Sequence, residues 1–202
     1  MRFILKRRVE AEDVLSAAAA VAFDAGLAAV TLESVAKWGG TSLAAVQRVE
    51  ANEARLVAEV FTQIARAEFA DTTRVVLACS SPVDQLRVLL QRIVELGEGE
   101  LDSVWVDAWT LGVRNRLLGA AVQEQEAMWH RLLGGVLRRG VKSGEFRPVE
   151  TDLLADRLLA ISVAVNAYTL LGYGTDASRS RLLTAIVRSE VGIQIDEIPG
   201  QA

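Results

Sequence analysis

The stretch Thr31 to Leu56, TLESVAKWGGTSLAAVQRVEANEARL, constrains the fold more than any other part of the chain. Leu32, Val35 and Ala36 recur at i, i+3 and i+4, the spacing that gives a short helix one apolar face, and the Gly39-Gly40 pair stops that helix. Ser42 stands where a serine oxygen accepts from the orphan N–H groups of a following first turn, and Leu43 and Val46 give the second helix its buried side. The stretch therefore reads as helix, glycine turn, helix.

Periodicity extends this reading in both directions. Val14, Leu15, Ala18, Val21, Ala22 and Ala25 form one stripe closed by Gly26, which gives a first helix and makes residues 10 to 50 a three-helix head. Thr31 is expected to cap the second helix, and Asn52 a long fourth one with Val57, Val60, Phe61 and Ile64 inside, running on toward Asp71. After Ser80-Ser81-Pro82 come Leu86, Leu89, Leu90 and Ile93; then Val104, Trp105, Ala108 and Trp109; then Val122, Trp129, Leu132, Leu133, Val136 and Leu137. Thr151-Asp152 opens an eighth helix through Leu171, and Leu182, Leu183, Ile186 and Val187 mark a ninth. Sustained strand alternation is missing, so the fold class is all-α, with about nine helices: three in a head and six in a body.

Composition narrows the function classes. At 202 residues and 51% hydrophobic content the chain is long and apolar enough for a real core. One cysteine, Cys79, excludes an internal disulfide, and the start Met1-Arg2-Phe3-Ile4 carries no signal-like run, so a reducing cytoplasm is expected. Leu158 to Thr175 has no charged residue, but Ser162, Asn166, Thr169, Gly172 and Gly174 interrupt it; it reads as a core helix or an oligomer seam, not a membrane span. Catalysis finds little support. His130 and Cys79 are too few for a structural zinc site, Gly134-Gly135 falls inside a helical pattern and not in a phosphate loop, and Glu124 and Glu126 point in different directions on their helix. No enzyme, metal or cofactor is expected.

Thr31, Val35, Ala36, Gly40 and Ser42 match the first half of a signature, Thr-x-x-x-Ile/Val-Ala-x-x-Ala-Gly-Val-Ser, and on these residues the chain resembles the TetR family of bacterial transcriptional regulators. The second half of the signature, Tyr-x-x-Phe-x-x-Lys, is replaced here by Gln47, Glu50 and Glu53. The order of helices extends the resemblance over almost the whole chain. Trp105 to Trp109 and the Gly144-Glu145-Phe146-Arg147 break make the C-terminal part similar to BetI-type domains.

The resemblance implies a helix-turn-helix DNA-binding head at 1–52 and a ligand-binding and dimerisation domain at 53–202. The implied partner of the head is a double-stranded DNA operator, met by Lys6, Arg7 and Arg8 in a basic arm, by Thr31 and Ser42 at helix N-termini, and by Leu43, Ala44, Ala45, Gln47 and Arg48 on the recognition helix. Residues 1 to 58 hold seven basic and seven acidic side chains, so weak, salt-sensitive binding is expected. That balance keeps a second reading open: a TetR-like ligand-binding or protein-interaction module whose helix-turn-helix has lost operator binding.

Trp105, Trp109 and Trp129, with Met128 and His130 beside the last, are the candidate pocket for a small-molecule effector of apolar or aromatic character; ordinary core packing is the competing account of each ring. Leu158, Ile161, Val165 and Tyr168, with Leu183, Ile186 and Val187, are the candidate homodimer interface, as a four-helix bundle across a two-fold axis. An intramolecular core is the alternative.

Overall fold

The structure is a computed structural model and describes residues 10–95, 100–173 and 176–193. Among the described residues there are nine α-helices, one 3-10 turn and no strand. The helices are α1 (Ala11–Ala25), α2 (Leu32–Trp38), α3 (Leu43–Val49), α4 (Glu53–Ala78), α5 (Pro82–Glu95), α6 (Glu100–Gly112), α7 (Arg116–Ser143), α8 (Thr151–Leu170) and α9 (Asp176–Val191). The all-α expectation holds. None of the described helices is long and apolar enough to cross a membrane.

Two compact units share the chain: Met1–Ile64 with Asp107–Val122, and Ala65–Val106 with Gln123–Ala202. In the first, α1 contributes Val14, Ala17, Ala18, Val21 and Ala22 to a core completed by Leu27, Val35, Ala36, Ala45, Val46 and, from α4, Leu56, Val60 and Phe61. Helix ends are closed by side chains. Thr31 Oγ1 accepts from the Ser34 N–H at 3.0 Å while Ser34 Oγ accepts from the Thr31 N–H at 2.9 Å, a reciprocal box at the start of α2. Ser42 caps α3 through the Ala45 N–H, and Asn52 Oδ1 accepts from the Arg55 N–H at the start of α4.

The turn between α2 and α3 is a Schellman closure: the Thr41 N–H reaches the Ala36 carbonyl at 2.9 Å and the Gly40 N–H reaches that of Lys37 at 3.3 Å. It needs φ of +60° at Gly40, where a side chain would be strained although nothing crowds the position. At the other end of this unit α6 and α7 cross closely. A Cβ on Gly119 would stand 2.8 Å from the Gly112 carbonyl oxygen, and the Asn115 side chain between them caps α7 through the N–H groups of Leu117 and Leu118.

The second unit is centred on Val76, Leu86, Leu89, Leu90, Leu133, Val136, Leu137, Phe146, Leu154, Leu158, Leu183 and Val187. α4 continues to Ala78, about two turns past the expected Asp71, because Val76 joins this core while Arg74 pairs with Asp71 one turn earlier on the outer side. Gly134-Gly135 lies inside α7, as the periodicity implied.

The dimer expectation needs a correction at four positions. Leu158, Val165, Leu183 and Val187 are buried within the single chain, so they build the subunit core and are not available as a seam. Ile161 and Ile186 pack partly against that core, and only Tyr168 of the seven, 48% exposed, faces outward. The stripe is apolar on more than one side, and the sequence alone could not say which side the chain itself covers.

Candidate nucleic-acid interface and ligand cluster

The head presents a continuous exposed run on the turn and recognition helix: Lys37, Trp38, Gly39 and Gly40, then Ser42, Ala44, Gln47 and Arg48. Thr31 and Leu43 are half-buried. Ala45 is a correction, since its side chain is buried in the head core and cannot meet a base edge. Trp38 was missed: periodicity gave it no role, yet it is 53% exposed at the end of α2. It borders an open groove of about 1070 Å³ with Asp13, Ser16, Thr41 and Arg48. The basic arm Lys6, Arg7 and Arg8 lies outside the described residues.

Glu50 and Glu53, the two acids that stand in the family's phenylalanine and lysine positions, turn onto the head's own backbone. Glu50 Oε1 accepts from the Asn52 N–H at 2.6 Å and its carboxylate lies 3.8 Å from Arg55. Glu53 Oε2 accepts from the Leu32 N–H at 3.1 Å, which places a negative charge against the positive end of α2. An N–H at that end is a ready partner for phosphate, and here a carboxylate takes it.

The three candidate-pocket tryptophans have separate surroundings. Trp105 is buried and its indole Nε1 donates to Glu68 Oε2 at 2.7 Å, joining α6 to α4. Trp129 packs edge to face on Phe69, with ring centroids 5.3 Å apart and planes at 89°. Trp109, half-buried one turn after Trp105, belongs to the first unit with Asp107, so the structure does not gather all three rings in one unit. Met128 is half-buried. His130 turns toward α8, its Nε2 3.1 Å from Asp156 Oδ1 and 3.4 Å from the Asp152 carbonyl, which gives it a helix-bridging role.

Two polar groups that sequence reading passed over stand out beside these rings. Burial pushes the Glu68 carboxyl up to about 7, against the opposing pull of the Trp105 hydrogen bond and the Arg92 charge. Gln125, on α7 one turn before Trp129, is only 1% exposed, and neither end of its amide has a hydrogen-bond partner. Their signal was absent from the sequence because α4 and α7 are polar over these stretches, and which polar residue turns inward depends on packing. Among the described residues no group of three or more His, Cys, Asp or Glu side chains is arranged to hold a metal ion.

Residues 82–162 match the family model of the BetI-type transcriptional repressor C-terminal domain. No curated protein matches the chain significantly. Among solved structures, a TetR transcription regulator from Haloarcula marismortui superposes with a TM-score of 0.80 at 18% identity, covering 90% of this chain and 97% of its own. A transcriptional regulator from Saccharomonospora viridis, solved in complex with choline, gives 0.77 at 21% identity over 90% and 96%. The Bacillus subtilis regulator FadR, solved with stearoyl-CoA, gives 0.70 at 16% identity over 87% and 97%. The chain thus has the fold seen in solved TetR-family transcriptional regulators, and its residues 82–162 are similar to the BetI-type C-terminal domain.

Proposed function

We propose that the chain is a homodimeric, ligand-responsive repressor that binds a palindromic operator, with 1–52 as the DNA-binding head and 53–202 as the ligand-binding and dimerisation part. The observation that carries the reading is the head: a Schellman-closed helix-turn-helix with Lys37, Ala44, Gln47 and Arg48 exposed along one run. Small apolar side chains at the start of the recognition helix suit thymine methyl groups, while Lys37, Gln47 and Arg48 suit phosphates. The choline and stearoyl-CoA complexes of two relatives of this fold support a small-molecule effector in the body. Such an effector acts only by differential affinity, binding better to the dimer whose heads do not match two successive major grooves.

Glu53 on the α2 N-terminus favours a second reading, in which the head no longer binds an operator and the chain serves as a ligand-binding or protein-interaction module. A mobility-shift experiment with the DNA upstream of the protein's own coding region, at low and moderate salt, separates the two. Retarded DNA that is released by specific competitor supports the repressor; no retardation at low salt supports the module.

A further inference from the structure

The groove in the head joins buried Ala17, Val35 and Val46 to exposed Ser16, Trp38 and Arg48, so α1, α2 and α3 each present a side chain to one open trough. Trp38 is 53% exposed there, which forgoes much of the burial by which a ring of that size would stabilise the head. Among the described residues neither its indole N–H nor the charged ends of Lys37 and Arg48 have a hydrogen-bond or ion-pair partner. The acid on the lining, Asp13, is turned to its own helix: its Oδ2 accepts from the Glu10 N–H at 3.2 Å, within the box that opens α1. An open groove does not surround a compact ligand as small-molecule sites do. An uncommitted cation, a hydroxyl and an indole N–H along it suit an extended polyanion that also carries apolar surface. A nucleic-acid strand is such a chain: its phosphates accept from N–H and O–H donors, and its sugars present carbon to a ring face.

We propose, resting on the DNA-binding reading above, that Trp38 is a backbone-contacting residue, which together with Arg48 holds one strand of the operator duplex in this groove by its sugar–phosphate chain. The first helix of a helix-turn-helix crosses the DNA backbone while the second reads base edges. Trp38 is the last residue of that first helix, so its position falls to the backbone. The indole Nε1–H donates to a phosphate oxygen, the ring face covers a deoxyribose, and Arg48 pairs with a phosphate. Contacts of this kind fix register and orientation and carry no sequence information of their own. The backbone under the ring is held in advance. Immediately after Trp38 the Gly39 N–H reaches the Val35 carbonyl at 2.9 Å, and a Cβ on Gly39 would stand 3.2 Å from that oxygen and 3.4 Å from the Ala17 Cβ. The ring therefore stands on a closed, tightly packed turn and loses little freedom when DNA arrives.

The test uses the full chain and two duplexes of equal length, the DNA upstream of the protein's own coding region and a scrambled sequence, followed by mobility shift over a salt series and by tryptophan emission. Trp38→Ala should weaken both duplexes by about tenfold, as the loss of one charge-assisted hydrogen bond predicts, and leave the ratio between them unchanged. Trp38→Phe keeps a ring and lacks the N–H, so it should lose about threefold. Arg48→Gln should weaken both duplexes and lower the salt slope by about one, whereas Trp38→Ala should keep the wild-type slope because the indole is uncharged. DNA should quench the wild-type emission, and Trp38→Phe should lose most of that quenching. The melting temperature of Trp38→Ala should match the wild type, which separates a lost contact from a lost fold; if it does not, Trp38→Phe decides. Wild-type affinity and quenching in Trp38→Phe, or wild-type affinity in a folded Trp38→Ala, overturn the proposal, while the retarded wild-type complex leaves the DNA-binding reading standing. Loss of preference for the upstream duplex, with the scrambled one bound at full strength, makes Trp38 a base reader and overturns the backbone role. A wild-type chain that retards neither duplex at low salt overturns the proposal and the repressor reading together.

Discussion

Glu68 ties a residue to a measurable pH dependence. Its carboxyl is held above its ordinary value because burial disfavours the ionised form more than the Trp105 hydrogen bond and Arg92 favour it. Between about 4.5 and about 7 the folded chain therefore binds more protons here than the unfolded chain does. Stability falls as pH rises through that window and is flat in this contribution above it. Each unit is worth about 1.4 kcal/mol, and partial exposure of the side chain reduces the whole effect to about 1–2 kcal/mol. Glu68→Gln should remove the slope, so denaturation midpoints at pH 5 and pH 8 draw together and the variant gains about 1–2 kcal/mol at pH 8. A slope unchanged in the variant would assign the pH dependence to other groups. Trp105 offers a direct reporter, since its indole donates to the titrating group, and its emission should move with a midpoint near 7 in the wild-type chain only. None of this was legible in the sequence. A glutamate in the polar stretch Arg66 to Arg74 reads as a solvated helix face, and only tertiary packing, with Trp105 of α6 laid on it, desolvates it.

At the scale of elements, the sequence was most legible where the signal was local. Caps at Thr31, Ser42 and Asn52 depend on residues within three positions of one another, and all three appear as read. The apolar helices were harder. α8 is rich in leucine, alanine and valine around its whole circumference, so periodicity could not divide the face that meets α5 and α9 from the face left outside. The structure divides it. Leu158 is fully buried, while Leu153 and Tyr168 on α8 and Leu182 on α9 remain about half-exposed, and Leu171 and Tyr173 just after α8 are 78% and 68% exposed. These exposed apolar side chains on two neighbouring helices are where the proposed function would seat a second copy of the chain. Tyr168→Asp with Leu182→Asp should then give a folded monomer in sedimentation with an unchanged far-ultraviolet spectrum. Leu158→Ala should instead cost about 2–4 kcal/mol of stability without changing the oligomeric state of the protein that remains folded. A double aspartate variant that sediments with the mass of the wild type removes this surface from consideration.

For the whole molecule, the proposed function requires a chain of net charge −4 to hold DNA. Attraction to phosphate depends on where charges stand, and the described part of the head offers Lys37 and Arg48 on the exposed run, with Glu53 against α2. Glu53 acts twice in this account. Its charge repels a nearby backbone, and its Oε2 occupies the Leu32 N–H that a phosphate oxygen would otherwise approach. Replacing it by lysine removes both obstacles and adds a cation. Glu53→Lys should therefore tighten binding to any duplex, with a steeper dependence on salt by about one released counterion. The same change should lower the melting temperature slightly, because α2 loses an acceptor worth about 0.5–1 kcal/mol at its first turn. Glu53→Gln separates the two effects: an amide oxygen keeps the hydrogen bond to Leu32 and drops the charge, so it should recover only part of the gain. Deleting residues 1–8, which carry Lys6, Arg7 and Arg8, should nearly abolish retardation at moderate salt, and Glu53→Lys should restore part of it by supplying some of the missing attraction. Tight and sequence-specific binding by the deletion variant, with no change on Glu53→Lys, would mean that the turn and recognition helix hold the operator by themselves and that the carboxylate on α2 is a helix cap and nothing more.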